Sequence, residues 1–254
     1  MNSNLRVHIT PVGYDFLRVT EPLIKMHADK VYLVTFGEDD SASKFFSQIK
    51  NELSKKYRHI QIVEVFIDIW NLFECIGKFC EIILAEKSNH VYINVSTGTK
   101  ITAIAGMLSC MLWDANPYYA PVSYPHPKKI QDLPTEQVSD VDILPVYDIT
   151  KPKSELMKIL NLLNKNGGRM RKSKMIELLE DVKILRKTDD KGNEFQGPAK
   201  HSQLRAFLDP MERQWNYVRI EAQGRRSEVI ITEQGITALK IFGCANDNIE
   251  NLTL

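Results

Sequence analysis

The sequence predicts an α/β domain with a mostly parallel sheet, followed by a smaller domain of helices and one β-hairpin. Apolar, β-branched runs alternate with segments of helical length over the first 150 residues. After the Lys151-Pro152-Lys153 junction, helical periodicity and two short strands replace this rhythm. A chain of 254 residues is also long enough for two hydrophobic cores. We therefore predict two domains and place their boundary at this junction, with residues 1–150 in the first and 151–254 in the second.

Strands and helices alternate along the first domain. Strands are predicted over 5–9, 31–36, 60–69 and 91–95, with edge strands over 118–123 and 141–147. Helices are predicted over 14–26, 41–57, 71–86 and 99–113. Strands so uniformly apolar are typically buried on both faces. The sheet should therefore be Rossmann-like and mostly parallel, with flanking helices.

The composition and the N-terminus indicate where the protein works. The residues are 43% hydrophobic and 26% charged, which is typical of a globular protein and not of a disordered one. The most apolar stretch, 101–113, is shorter than the ~20 residues that a bilayer crossing needs. The first residues contain no apolar signal-peptide core. We therefore expect a cytoplasmic protein with no membrane partner.

The cysteines and histidines show no metal pattern. Four cysteines and six histidines are dispersed without a C-x-x-C pair or an H-E-x-x-H motif, so we expect no metal and no cofactor. His8 and Asp15 are the nearest candidates for a general base. His8 could instead pack in the core, and Asp15 could cap a helix, so no catalytic residue is assigned.

Two loops after predicted strands carry chemistry suited to ligand binding. The TPVGYD loop (residues 10–15) follows the first strand, and the STGTK loop (residues 96–100) follows the fourth. In a Rossmann-like order these strands are neighbours, so the loops would face each other where such sheets bind ligands. Hydroxyls, a glycine, a helix N-terminus and a lysine make the STGTK loop a candidate phosphate cradle. The alternatives are a simple helix cap for the STGTK loop and a plain turn for the TPVGYD loop.

Two common nucleotide-binding motifs are absent. The order Gly-Thr-Lys, without the upstream glycine, does not fit the P-loop, and no G-x-G-x-x-G occurs. The sequence therefore gives no support to an ATPase or a dinucleotide-dependent oxidoreductase.

The order of these motifs resembles the CRISPR-associated Rossmann-fold (CARF) domain over residues 4–150. The most specific likeness is Asn94-Val95-Ser96-Thr97-Gly98-Thr99-Lys100, which is similar to the family signature N-x-[ST]-x-G-T-[KR]; the ITPVGYD and TFG segments match more loosely. Such domains form two-fold dimers whose paired loops bind cyclic oligoadenylates. The resemblance implies that such a ligand, with cyclic tetra-adenylate as the expected ring, contacts Pro11, Val12, Gly13, Tyr14, Asp15, Phe36, Gly37, Ser96, Thr97, Gly98, Thr99 and Lys100.

The second domain resembles a winged helix-turn-helix over residues 153–243. The first helix carries apolar residues at Leu156, Ile159, Leu160 and Leu163, with the spacing of one buried face. In the third helix Leu204, Phe207 and Leu208 should point inward, and Pro210 should restart the helix at Asp209. A hairpin then pairs 217–221 with 229–232 around a basic tip, and a final helix follows.

Basic side chains concentrate in this second domain. Residues 151–254 hold 19 basic and 14 acidic residues, whereas residues 1–150 hold 14 and 18. A helix in the major groove and a basic wing tip would release counterions from duplex DNA. The predicted DNA contacts are Lys200, His201, Ser202, Gln203, Arg205, Arg225 and Arg226. The alternative is that these residues only form a solvated, charged surface.

Together these features predict a ligand-responsive transcription regulator of a CRISPR-Cas system. It would be a homodimer that senses cyclic oligoadenylate and binds duplex DNA. Two alternatives stay open. One is a metal-independent ring nuclease that degrades the ligand, and the other is a regulator outside CRISPR systems that senses a different nucleotide.

Overall fold

The computed structural model describes residues 4–37, 43–123, 137–138, 140–223 and 226–243. They form two compact units that divide between Thr150 and Lys151. Each unit has its own cluster of buried apolar side chains.

The first unit contains eight strands among the described residues. They are β1 (Arg6–Pro11), β2 (Lys30–Thr35), β3 (Gln61–Phe66), β4 (His90–Asn94), β5 (Asn116–Tyr119), β6 (Val122–Ser123), β7 (Gln137–Val138) and β8 (Asp142–Ile143). Six of them make one sheet in the order β3-β2-β1-β4-β5-β8, in which the first five are parallel and β8 is antiparallel. The predicted Rossmann-like, mostly parallel sheet is therefore confirmed.

Four helices cover this sheet: α1 (Phe16–Lys25), α2 (Ser43–Lys56), α3 (Leu72–Ala85) and α4 (Lys100–Leu112). Helices α1 and α2 share one apolar cluster with β2, while α3 and α4 pack on each other. Asp15, Asn71 and Thr99 are the N-caps of α1, α3 and α4, and each side chain accepts a backbone N–H. The sequence thus starts these helices at the edge where the parallel strands end.

Two predicted strands are shorter in the structure. The strand predicted over 60–69 ends at Phe66, because the Asp68 side chain accepts the backbone N–H of Trp70 and turns the chain. The strand predicted over 141–147 is reduced to Asp142–Ile143 at the sheet edge. Most of the Pro-rich connection before it, residues 124–136, lies outside the described residues.

The second unit has the elements of a winged helix. They are α5 (Ser154–Lys165), β9 (Arg169–Arg171), α6 (Lys172–Asp181), α7 (Gly197–Arg213), β10 (Val218–Gln223), β11 (Arg226–Ile231) and α8 (Glu233–Phe242). The three strands form an antiparallel sheet in the order β10-β11-β9. The predicted hairpin is longer than expected, and β9 was not predicted because three residues are too few to show a periodicity.

The core of the second unit follows the predicted helical spacing. The four apolar positions of the first helix are buried in α5, and Leu204 and Leu208 of α7 join them. The prediction that Pro210 restarts the helix is wrong, since α7 continues through Pro210 to Arg213. Lying near the C-terminal end, this proline removes one intrahelical hydrogen bond without ending the helix. In the part of the chain that the structure describes, no helix is long and apolar enough to cross a membrane.

Candidate functional site

The candidate site of the first unit lies at the carboxyl edge of the parallel sheet. Strands β1 and β4 are direct neighbours, with His8 opposite Tyr92 and Ile9 opposite Ile93. Both strands run the same way, so the TPVGYD and STGTK loops leave the sheet side by side. This is the edge at which open parallel sheets bind ligands.

A buried hydrogen bond fastens the two loops together. Thr97 is 4% exposed, and its hydroxyl donates a 2.6 Å hydrogen bond to the carbonyl oxygen of Pro11. Beyond this bond the backbones stay close, because a Cβ placed on Gly13 would lie 3.2 Å from the nitrogen of Gly98. The loops therefore form one continuous backbone surface.

Gly98 allows this close approach. Its φ of +79° lies in the left-handed region that residues with a Cβ rarely adopt. A Cβ here would also lie 2.6 Å from both the Cβ of Pro11 and the Oγ1 of Thr102. Glycine is therefore required at this position by conformation and by space.

Helix α4 starts directly after Gly98, with Thr99 as its cap. The Thr99 hydroxyl accepts the N–H of Thr102, and the Thr102 hydroxyl accepts the N–H of Thr99, which makes a capping box. Lys100 is the first helical residue and is exposed, and no described side chain pairs with its ammonium group. A helix N-terminus and an unpaired lysine together favour an anion at this point.

Asn94 and Ser96 of the signature segment hold the loop in place. The fully buried Asn94 amide donates to the carbonyl of Arg18 at 2.9 Å and accepts the N–H of Ser96 at 2.9 Å. The Ser96 hydroxyl accepts the N–H of Ala120 at 2.5 Å. The Asn94 and Ser96 side chains thus hold the backbone of the STGTK loop. The sequence pattern alone did not distinguish this role from ligand contact.

The predicted residues of the TPVGYD loop have different environments. Pro11 and Val12 are buried, and Val12 packs in the apolar core under α1 and α2, so its side chain does not face the edge. Tyr14 is 65% exposed, with its ring edge-to-face against Phe45 at 5.7 Å. Asp15 caps α1, as the alternative interpretation expected. A ligand at this edge would therefore meet the Tyr14 ring and the backbone of the loop.

Arg18 belongs to this site and was missed by the sequence reasoning. Its guanidinium group donates to the carbonyl of Ser96 at 3.4 Å and to the hydroxyl of Tyr119 at 3.2 Å. It also lies 5.5 Å from the Tyr119 ring centre and 3.5 Å from the Asp15 carboxylate. One helical turn separates Asp15 from Arg18, which is the only sequence signal for this cluster.

Two exposed aromatic side chains continue the same edge towards β3. Phe36, after β2, is 48% exposed and lies edge-to-face on Trp70, after β3, at 4.9 Å. Gly37 follows Phe36, and no described atom lies within 4 Å of where its Cβ would be. Phe36 and Gly37 were predicted, whereas Trp70 was not because no strand–loop motif surrounds it.

The two candidates for a general base make structural contacts, and the Asp15 carboxylate both caps α1 and pairs with Arg18. His8 is fully buried within β1, and burial lowers its pKa to about 3, so its imidazole is neutral near pH 7. Its Nδ1 lies 3.4 Å from the hydroxyl of Tyr118. In the part of the chain that the structure describes, no group of three or more histidine, cysteine or carboxylate side chains could hold a metal ion.

In the second unit, α7 carries most of the predicted DNA contacts. Two of them have partners outside α7: the Lys200 ammonium pairs with Glu180 at 2.7 Å, and the Gln203 amide accepts the N–H of Arg186 at 3.0 Å. His201, Ser202 and Arg205 are exposed, and Arg205 lies 3.4 Å from Asp209. The accessible face of α7 is therefore narrower than predicted.

The wing is less basic than its sequence indicates. Glu228 lies within 4.0 Å of Arg169 and Arg171, and Glu221 pairs with Arg219 at 3.0 Å. These two carboxylates offset part of the charge of the three arginines below the tip. The predicted Arg226 is the first residue of β11, and Arg225 lies outside the described residues.

Comparisons with known sequences divide the chain in the same way. Residues 6–124 match a family model for the N-terminal domain of HFX_2341_N-like proteins. Residues 155–243 match the model "DUF6293 C-terminal winged helix domain". The uncharacterized protein MJ1513 from Methanocaldococcus jannaschii is 28% identical over 211 residues. This match covers 70% of the chain and 62% of the relative, so the chain spans less than two thirds of that protein.

Three solved structures show distant similarity. Can2 from Sulfobacillus thermosulfidooxidans, in complex with cyclic tetra-adenylate, aligns with a TM-score of 0.40 and 13% identity over 97% of this chain and 66% of that chain. Csm6 from Enterococcus italicus, bound to cyclic hexa-2′-fluoro-hexa-dAMP, aligns with a TM-score of 0.39 and 14% identity over 84% of this chain and 56% of that chain. VC1899 from Vibrio cholerae aligns with a TM-score of 0.37 and 12% identity over 94% of this chain and 65% of that chain. Such values are too low to assign a ligand, and what the family models and the architecture support is an α/β domain similar to HFX_2341_N followed by a winged helix domain.

Proposed function

We propose that this protein is a ligand-responsive transcription regulator of a CRISPR-Cas system. Its first unit senses a cyclic oligoadenylate, with cyclic tetra-adenylate as the expected ring, and its second unit binds duplex DNA. The working form is a homodimer.

The observation that carries the ligand proposal is the fastening of the two loops at the start of α4. The Thr97–Pro11 hydrogen bond and the left-handed Gly98 expose backbone in place of side chains beside the Lys100 ammonium. Phosphate groups favour such a surface, since a helix N-terminus and a cation act on the same anion. The resemblance of residues 94–100 to the CARF signature narrows the anion to a cyclic oligoadenylate.

An apolar surface on α4 supports the homodimer. Lys100 is the only charged residue of this helix, and its polar residues Thr102 and Ser109 are buried, a pattern typical of a helix buried all round. Ile104 is nevertheless 50% exposed, and Ile101, Met107, Leu108 and Met111 are partly exposed. The exposed Tyr147 lies on the segment that reaches Met111 through the N–H of Ile149 at 3.4 Å. A second copy covering this surface would bring two STGTK loops together, because α4 begins at that loop.

The winged helix supports the DNA proposal. Helix α7 presents His201, Ser202 and Arg205 on its exposed face, which is where recognition helices contact base edges. Lys200 and Gln203 pair with residues outside α7, whereas Arg205 pairs within the helix, so the first two are expected to support α7 and not to touch DNA. Sequence preference should therefore arise from a few side chains, and phosphate affinity from the wing tip.

A binding titration tests the ligand proposal. Calorimetry should show cyclic tetra-adenylate binding to the wild-type protein, and Lys100→Ala should weaken it about 10-fold or more, since hydrogen bonds to charged groups contribute about 1.5 to 3 kcal/mol. Lys87→Ala is the matched control, because Lys87 is also exposed but precedes β4 at the opposite edge. The nucleotide recovered afterwards should be the intact ring.

Two results would contradict this proposal. If neither the four-membered nor the six-membered cyclic oligoadenylate binds, the proposed ligand is wrong. If the Lys100→Ala and Lys87→Ala variants bind with equal affinity, the proposed site is wrong. Recovery of linear product would instead favour the ring nuclease.

A further inference from the structure

The aromatic pair Phe36–Trp70 is an unusual feature of the carboxyl edge. Phe36 is 48% exposed and Trp70 is 55% exposed, and their ring centres lie 4.9 Å apart at an angle of 69°. Large aromatic side chains bury much apolar area when they find a partner. Here two of them contact each other and still leave about half of each surface to solvent.

The loop after β3 holds Trp70 outward. Ile67 and Ile69 on either side of Asp68 are 6% and 4% exposed, so they anchor the loop in the core. The Asp68 carboxylate accepts the N–H of Trp70 at 3.0 Å, and the Asp68 carbonyl accepts the N–H of Asn71 at 3.0 Å. Trp70 is therefore presented by a well-tied turn, which lowers the entropy cost of binding a partner.

A hydrogen bond connects this turn to the candidate anion site. The Thr99 hydroxyl, at the cap of α4, donates to the carbonyl oxygen of Ile69 at 2.9 Å. Trp70 follows Ile69 in the chain, and Lys100 follows Thr99. This hydrogen bond thus links the turn that carries Trp70 to the start of α4.

Among the described residues, the position of Gly37 is uncrowded. No described atom lies within 4 Å of a Cβ built on Gly37, the residue after Phe36. In the part of the chain that the structure describes, no atom at Gly37 blocks a flat group from approaching the pair. A planar base that is joined through ribose to a phosphate matches an aromatic side chain placed beside a cationic helix N-terminus.

We propose that Phe36 and Trp70 form a stacking platform for a nucleobase of the ligand. This inference rests on the proposed nucleotide function and adds a base-recognition element next to the phosphate site. Stacking on aromatic side chains is tolerant of base identity, because every base has a π-face. The platform therefore favours nucleotides over plain sugar phosphates.

Tryptophan fluorescence tests the platform. The chain contains three tryptophans: Trp70, the buried Trp113, and Trp215, which stacks on Tyr217 in the second unit. A base stacked on Trp70 should quench part of the emission. Titrations should use cyclic tetra-adenylate and AMP as base-bearing probes, with ribose 5-phosphate as the probe that lacks a base.

Variants identify the responsible ring. Trp70→Phe should lose the quenching and keep most of the affinity, because phenylalanine still offers an aromatic face. Trp70→Ala should weaken cyclic tetra-adenylate at least about 10-fold. Trp215→Phe should keep the quenching. As Trp70 is half exposed, these variants are expected to fold, and their thermal unfolding should match the wild type.

The outcomes separate the platform from the proposed function. Cyclic tetra-adenylate binding that is unchanged in Trp70→Ala, without quenching, overturns the platform and leaves the function standing. AMP quenching that requires Trp70, without binding of any cyclic oligoadenylate, keeps the platform and overturns the proposed ligand. Absence of quenching by every base-bearing probe overturns the platform, as does equal quenching by ribose 5-phosphate.

Discussion

The hydroxyl of Thr97 donates a 2.6 Å hydrogen bond to the carbonyl oxygen of Pro11, and this bond joins the ends of two neighbouring strands. Thr97 is 4% exposed, so water cannot easily replace the bond. It fixes the spacing between the TPVGYD and STGTK loops. The shape of the candidate phosphate site depends on that spacing.

Removing this hydroxyl should loosen the site. Thr97→Val keeps the side-chain volume but leaves the Pro11 carbonyl without its donor, which should lower the free energy of unfolding by about 1 to 3 kcal/mol. Chemical denaturation measures this loss, and calorimetry should show weaker nucleotide binding. Thr97→Ser retains the hydroxyl and should behave more like the wild type. Equal stability of the valine and serine variants would contradict a structural role for the bond.

The STGTK loop was accessible to sequence reasoning because its chemistry is local. The cap, the glycine and the lysine follow one another, and Thr99 and Lys100 start α4 as their order predicts. Arg18 and Trp70 were not accessible, because their positions depend on contacts with segments far along the chain. Arg18 reaches Ser96 only after α1 has packed on the sheet, and Trp70 reaches the site through the Thr99–Ile69 bond.

The side-chain environments were also beyond the sequence. Val12 lies within the predicted loop, yet its N–H continues the ladder with Val34 and its side chain enters the core. Lys200 and Gln203 lie on the surface of α7 that was predicted to bind DNA, yet they pair with Glu180 of α6 and Arg186 of the following loop. Periodicity predicts which face of an element is buried, but not which polar residues pair across elements.

Two glycines with similar dihedrals allow strain to be separated from crowding. Gly98 has a φ of +79° and Gly167 a φ of +82°, but of the two only Gly98 has described atoms close to where a Cβ would lie. Gly167→Ala should cost about 1 to 2 kcal/mol from the left-handed backbone alone. Gly98→Ala should cost more, because Pro11 and Thr102 must also move. Denaturation of both variants gives the comparison, and equal losses would show that crowding at Gly98 is unimportant.

The exposed face of α4 should control the oligomeric state. Ile104→Glu places a charge on the apolar surface proposed to meet a second copy, so it should favour the monomer. Light scattering coupled to size-exclusion chromatography measures the mass directly. Val182→Glu is the matched control, since Val182 is also about half exposed but lies in the second unit. A wild-type monomer at micromolar concentration, with and without nucleotide, would contradict the homodimer.

His8 should make the stability depend on pH. Burial lowers its folded-state pKa to about 3, against 6.5 when unfolded, so the unfolded chain binds the extra proton between these values. The stabilisation is complete above pH 6.5 and decreases as the pH falls towards 3, by up to about 1.4 kcal/mol per pH unit. His8→Leu should remove this part of the slope. Denaturation of both proteins between pH 7 and about pH 4 tests it, and parallel profiles would contradict the assignment.

The last prediction concerns DNA binding by the second unit. Electrophoretic mobility shifts should show salt-sensitive retardation of the DNA upstream of the gene for this protein. A homodimer with two winged helix domains should prefer a palindrome with half-sites about one helical turn, or a multiple of it, apart.

Variants of the wing and of α7 should act differently. Replacing Arg225 and Arg226 with alanine should weaken all sequences about equally and reduce the salt dependence by about two phosphate contacts. Arg169→Ala is the matched control, because Arg169 is an exposed arginine of β9, outside the hairpin tip, and lies within 3.9 Å of Glu221 and Glu228. Arg205→Ala should instead change which sequence is preferred, since α7 exposes that side chain. If no retardation occurs with or without nucleotide, the wing and α7 serve as a protein-interaction surface, and the ion pairs on the wing strands become the expected reason for its low affinity for phosphate.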